Sequence, residues 1–144
     1  MKPLIEIMEK ELNLLDKLSE IMKQKQYSLI AFSVDEMNSI LNQEIQLVAQ
    51  VKSCDRKRIE IIKQLLPEVG NPEEIKVSDL LKICDERNAK QILFLKGNLL
   101  RSLEKVKNIN DTNKALVQRS KRFVKDIVSV FTENGEKQLV DKKV

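Results

Sequence analysis

The side chains able to do chemistry are few in this chain, and their spacing forms no reactive set. Histidine is absent, and the two thiols, Cys54 and Cys84, lie 30 positions apart. Without an imidazole there is no Ser–His or Cys–His pair for nucleophilic catalysis, and no Glu-x-x-His di-iron motif. Two isolated cysteines match no metal-ligand or redox spacing and make no disulfide framework. No glycine-rich loop exists to cradle a phosphate. A helical enzyme that works through arginines alone would need one in its first helix, and the first arginine here is Arg56. Catalysis requires named groups in each role, and none fills them. The expectation is no enzyme, no catalytic residues, no metal and no cofactor.

Two basic runs remain. Asp55-Arg56-Lys57-Arg58 lies in a helical stretch, where consecutive residues spread around the cylinder, so it reads as a solvated face. The second is denser: Lys114, Arg119, Lys121, Arg122 and Lys125. Binding of single-stranded nucleic acid would add aromatic stacking platforms. Only Phe123 and Phe131 are nearby, at positions that suit packing, so no nucleic-acid partner is expected. The formal net charge of +4 hides an asymmetry: residues 1–86 carry 12 basic and 16 acidic side chains, and residues 87–144 carry 14 and 6. An acidic hairpin packed beside a basic helix accounts for this most simply, and an acidic partner surface is the alternative.

The informative chemistry is apolar. Past Asn110 and Asn113, Leu116, Phe123, Ile127 and Val130 form one stripe, and Val117, Val124, Val128 and Phe131 form another beside it. Together they exceed what one seam needs. One stripe can pack internally while the other receives an amphipathic partner helix; alternatively, both are buried in a homo-oligomer. The two asparagines interrupt an apolar seam, a device that sacrifices stability to fix register or oligomer state. Either they bond across the bundle or face water, or they mark where the helix leaves its own bundle.

The elements that carry these residues are helices. With 33% charged and 3% aromatic residues, three glycines and three prolines, the composition is that of long helices and coiled coils. Pro3 suits a first helical turn. From it, Leu4, Met8, Leu15, Leu18, Met22 and Leu29 form a ladder, widened by Ile5, Ile7, Leu12, Leu14 and Ile21 until it can touch more than one neighbour. Register is lost around Ala31-Phe32, where Ser33-Val34-Asp35-Glu36 reads as a capping box. A second ladder follows through Met37, Leu41, Ile45, Val48, Val51, Ile59, Ile62 and Leu66, ending at Pro67. Residues 67–77 are a connection, with room for one short turn beginning at Pro72. Ser78-Asp79 then reads as the N-cap of a third helix over 79–133. Gly97 weakens one turn by about 1 kcal/mol relative to alanine, leaving open whether this helix bends there. Asn134-Gly135 is a suitable C-cap, with a flexible tail over 134–144. The expected fold is all-α: one domain over 1–133, an elongated antiparallel bundle of three long helices, the last one longest.

No run approaches the roughly 18 apolar residues of a membrane span. The opening Met1-Lys2-Pro3-Leu4-Ile5-Glu6 places a glutamate where a signal peptide needs apolar residues. A soluble, cytoplasmic protein is expected.

Several segments, taken in order and spacing, resemble the FlgN family, the bacterial flagellar export chaperones. They are Leu4…Glu11-Leu12…Leu15…Leu18, then Val34-Asp35-Glu36-Met37, Arg56-Lys57-Arg58-Ile59 and Val77-Ser78-Asp79-Leu80-Leu81. The most specific is Ile109-Asn110-Asp111-Thr112-Asn113-Lys114-Ala115-Leu116-Val117, similar to the family's paired-asparagine segment. The resemblance covers about residues 1–133. It implies a cytoplasmic chaperone without ATPase activity that binds the C-terminal helical segments of hook–filament junction (hook-associated) proteins. It would prevent their premature assembly and deliver them to the export apparatus. It also implies substrate binding by the C-terminal helix and a mobile C-terminal region.

The expected mechanism is burial of a client helix against Val117, Phe123, Val124, Ile127, Val128 and Phe131, with Arg119, Arg122 and Lys125 steering an acidic client. A self-associating structural coiled coil is the alternative.

Overall fold

The computed structural model describes the backbone of residues 1–143 and the side chains of residues 1–132. Among the described residues there are four α-helices and one short turn: α1 (Lys2–Ala31), α2 (Val34–Leu65), a 3₁₀ turn (Pro72–Glu74), α3 (Val77–Lys82) and α4 (Glu86–Lys143). The fold is all-α, as the composition requires.

The broad stripe of α1 makes it the central helix. Its buried side chains, among them Leu4, Met8, Leu14, Leu15, Leu18 and Met22, face both α2 and α4, which hardly meet each other. Hydrogen bonds and ion pairs set the register. α2 runs antiparallel to α1, linked by Arg58–Glu11 at 3.0 Å and Lys25–Glu44 at 3.0 Å. α4 runs parallel to α1, linked by Gln91–Glu9 at 3.0 Å, Ser102–Asp16 at 3.1 Å and Asn113–Met22 at 2.9 Å. The densest core lies where α1 and α4 begin. There Leu4, Ile5, Met8 and Leu15 pack with Leu80, Ile92, Leu95 and Leu99. Ile61, Ile62 and Leu65 of α2 close one side, and Ile75 of the connection and Val77 of α3 cover the end.

Two expected caps are corrected. Ser33 does begin α2, but its hydroxyl makes no capping bond. Glu36 instead accepts from Ser28 Oγ at 3.4 Å, tying α2 to the end of α1. The link between these helices is short enough that Phe32 takes a left-handed conformation, φ 52° and ψ 37°. Its N–H satisfies the Ser28 carbonyl, a bond that usually comes from glycine or asparagine.

The long third helix expected over 79–133 is two helices. Lys76, not Ser78, is the N-cap of α3, and its N–H donates to Asp79 Oδ2 at 3.1 Å. That bond, followed by the contact with Lys82, holds the Asp79 carboxyl below its ordinary value. The chain breaks at 83–85 because Asp85 caps α4. Its carboxylate accepts from Asn88 N at 2.7 Å, and its carbonyl from Ala89 N at 2.9 Å. Aspartate competes with the backbone inside a helix and excels at its N-terminus. The short turn at Pro72 is where it was expected, capped by Asn71 Oδ1 accepting from Glu73 N at 3.2 Å.

The ladder drawn for α2 is only partly the seam: Val51, Ile62 and Leu66 of it pack against the core. Ile45 is 67% exposed, and the side turned to α1 carries Ile40, Glu44, Leu47, Val51, Cys54 and Arg58. Charged Glu44 and Arg58 occupy this seam because α1 offers them Lys25 and Glu11, and they break the apolar periodicity.

α4 is 58 residues long and passes through Gly97 unbroken. At about 1.5 Å per residue it spans roughly 87 Å. Its backbone also continues past Asn134-Gly135, so no C-cap forms there. The expected flexible tail, 134–144, falls on residues whose side chains lie outside those described.

Candidate functional site

The site follows from a mismatch in length. α1 ends at Ala31, level with the part of α4 around Phe123, whose ring centroid lies 6.4 Å from that of Phe32. α4 continues beyond this level, past the last residue of α1, and its described side chains there stand mostly in water. Its bundle-facing side does not change character where the support stops. One track steps by heptads from Leu99 through Val106, Asn113 and Ser120 to Ile127; the other goes from Leu103 through Asn110 and Val117 to Val124 and Phe131. Such a seven-residue repeat keeps one face directed at a helical partner.

Of the two seam asparagines, only Asn113 is buried, and its Nδ2 donates to the Met22 carbonyl at 2.9 Å. Asn110 is half-buried and makes no side-chain hydrogen bond among the described residues. Three residues of α4 past Asn113, Leu116 and then Val117 are half-buried, and from Lys121 to Thr132 every side chain is exposed. Phe123 is 56% exposed and Phe131 73% exposed, with Val124, Ile127, Val128 and Val130 also open to water. The exposed patch includes both stripes read from the sequence except their first members, Leu116 and Val117.

Only part of the expected set converges. Val117, Val124, Val128 and Lys125 line a shallow cleft of about 540 Å³, together with Ser120, Lys121 and Ser129. Phe123 packs toward Phe32 and does not line the cleft. Arg119 and Arg122 are exposed but not part of its lining, whereas Lys121 is. The remaining wall comes from Leu29 and Phe32 at the tip of the α1–α2 hairpin. These two were missed in the sequence, as were exposed Tyr27, Ile30 and Val34 around the same tip. A signal did exist: a cluster of large apolar residues at the point where the ladder loses register, next to a turn.

The cleft has the properties of a helix-receiving surface. Its walls are mostly apolar, two lysines stand at its rim, and one end is open along the projecting helix. It holds no reactive constellation, and among the described residues no three acidic or thiol groups cluster to hold a metal. A buried carboxyl with a raised pKa lies elsewhere. Burial of Glu11 pushes its pKa above the ordinary 4.5, with Arg58 opposing.

A last helix that outlasts its neighbours is what the helix lengths read from the sequence implied, but Asn113 lies inside the α1–α4 seam and not where α4 departs. The family model described as FlgN protein matches residues 1–140. The chain belongs to the FlgN family. The FlgN family is one of chaperones for flagellar export, so flagellum biogenesis and protein export are the setting of this chain. It is a chaperone family and not an enzyme family. No helix among the described residues of this FlgN-family chain is long and apolar enough to cross a membrane. No curated protein and no solved structure matches the chain.

Proposed function

We propose that this FlgN-family chaperone binds the C-terminal amphipathic helices of hook–filament junction proteins along the distal face of α4. The client helix lies against Val117, Val124, Ile127, Val128 and Phe131, with its near end between Leu29 and Phe32. Lys121 and Lys125 at the rim attract acidic residues of the client, and Arg119 and Arg122 add to the positive field farther round the helix. Burying the client's apolar stripe keeps it from polymerising in the cytoplasm, and the complex carries it to the export apparatus. Binding of this kind needs no nucleotide, since burial of apolar surface supplies the free energy.

One observation carries this reading: the face with which α4 covers α1 continues, still apolar, past the end of α1 into water. Calorimetric titration of the full chain with a peptide copying the C-terminal helix of a junction protein tests it. Saturable binding that is lost in Val124→Asp/Ile127→Asp is the expected result. A chaperone that ignores such peptides, or binds them equally well after both substitutions, overturns the assignment. A tight oligomer that buries this stripe would replace it with the structural coiled-coil reading.

A further inference from the structure

Near its start α4 carries a second exposed apolar stripe, far from the distal cleft and bordering at Leu100 the groove beside α1 and α2. Leu93, Phe94 and Leu100 are all exposed large side chains, with Gly97 between them. Ile92, Leu95 and Leu99 turn the other way, into the core. Nothing among the described residues calls for glycine at 97. Its φ is not positive, and an added Cβ would meet only the Arg101 guanidinium, at 3.7 Å. Glycine nevertheless weakens a helix interior relative to alanine. A notch without a Cβ, flanked by large apolar residues, is what close approach of another backbone requires.

The charges show what approaches. Lys90, Leu93, Gly97, Leu100 and Glu104 follow one another at three- and four-residue steps on a single face. Lys90 and Glu104 stand equally far from Gly97 in opposite directions. A second α4, antiparallel and related by a twofold axis at Gly97, sets Lys90 of each copy beside Glu104 of the other. The same operation brings Leu93 against Leu100 and the Phe94 ring against the Arg101 guanidinium, an apolar pair and a cation–π contact. A patch that complements itself in this way is what a twofold interface needs. Among the described residues Lys90 pairs only with the exposed Glu86, at 2.7 Å, a weak competitor in water.

We infer that a second copy of this chain docks here, α4 against antiparallel α4, crossing at Gly97. The site shares no residue with the proposed client surface and stands independently of it.

Sedimentation velocity of the full chain over a wide concentration range tests the inference, with far-UV circular dichroism and melting as controls on folding. A concentration-dependent dimer is expected. Gly97→Leu and Leu100→Asp should each weaken it by about tenfold or more, the scale of losing a buried interface anchor. Both positions are outside the core, so the fold should persist, and Gly97→Ala should raise the melting temperature. Lys90→Glu and Glu104→Lys should each weaken the dimer, and the double swap should restore it. A chain that stays monomeric throughout overturns the inference. So does a dimer indifferent to Gly97→Leu and Leu100→Asp, or a double swap that fails to restore association.

Discussion

Asn113 donates from Nδ2 to the main-chain carbonyl of Met22 at 2.9 Å, the one hydrogen bond buried inside the α1–α4 seam among the described residues. Among the described residues its Oδ1 has no protein partner, and neither has the hydroxyl of Ser19, also buried. A buried amide that bonds in only one register penalises every other one. It therefore sets how far α4 has advanced along α1 when α1 ends, and so which residues project.

Asn113→Leu should accordingly separate stability from register. Removing an unpaired buried carbonyl oxygen is worth about 1 kcal/mol, so thermal stability should hold or rise. Spin labels at the exposed positions Gln24 and Thr112 should then report a broader α1–α4 distance distribution than in the natural sequence. An unchanged narrow distribution would show that apolar packing alone fixes the register.

Phe32 offers a second separation. It sits at φ 52° and is 63% exposed, while its ring walls the distal cleft. Phe32→Gly removes the left-handed penalty, about 1 kcal/mol, and should raise the melting temperature. The same change removes a contact surface, so client-peptide affinity should fall. A variant that is more stable and binds equally well would exclude the hairpin tip from the site.

The two sets of cations should behave differently. Lys121 and Lys125 line the cleft; Arg119 and Arg122 do not. Charge reversal at the lysine pair should slow client association several-fold at low salt, and reversal at the arginine pair should do so less. Stopped-flow association rates across a salt series provide the measurement. A larger effect from the arginines would move the client to the other side of α4.

Glu11 makes stability depend on pH. Burial raises its folded-state pKa above the unfolded value near 4.5, with the Arg58 guanidinium only partly offsetting the effect. Protonation therefore favours the folded state. That contribution is complete below 4.5 and is lost as pH rises through the higher folded-state value. Glu11→Gln should flatten chemical-denaturation stability across this window and match or exceed the natural protein at neutral pH. Glu11→Ala should lower stability, because it leaves a void and strips Arg58 of its partner on α1. Equal losses in both variants would mean that the charge itself stabilises the bundle.

Asp85 decides where α4 begins. Asp85→Ala should cost about 1 kcal/mol, as loss of a helix N-cap does, and Asp85→Asn much less. Equilibrium unfolding measures both, and equal effects would argue against the capping role.

Much of this protein was legible in the order of its residues. The all-α class follows from a composition with too few turn residues for sheets. The hairpin of α1 and α2, the turn at Pro72 and the long last helix follow from apolar spacing and proline placement. These are local properties, and the surplus of apolar surface beyond Asn113 is likewise a count along one helix. The tertiary structure decided what depends on distant neighbours. Asp85 falls inside the helix read over 79–133 until its carboxylate meets Asn88 N. The α2 seam is partly hidden because Glu44 and Arg58 belong in it only once α1 supplies Lys25 and Glu11. Leu29 and Phe32 join the candidate site only because α1 ends beside Val124. Periodicity describes one helix at a time, whereas the point at which one helix outlasts another is set by the register between them.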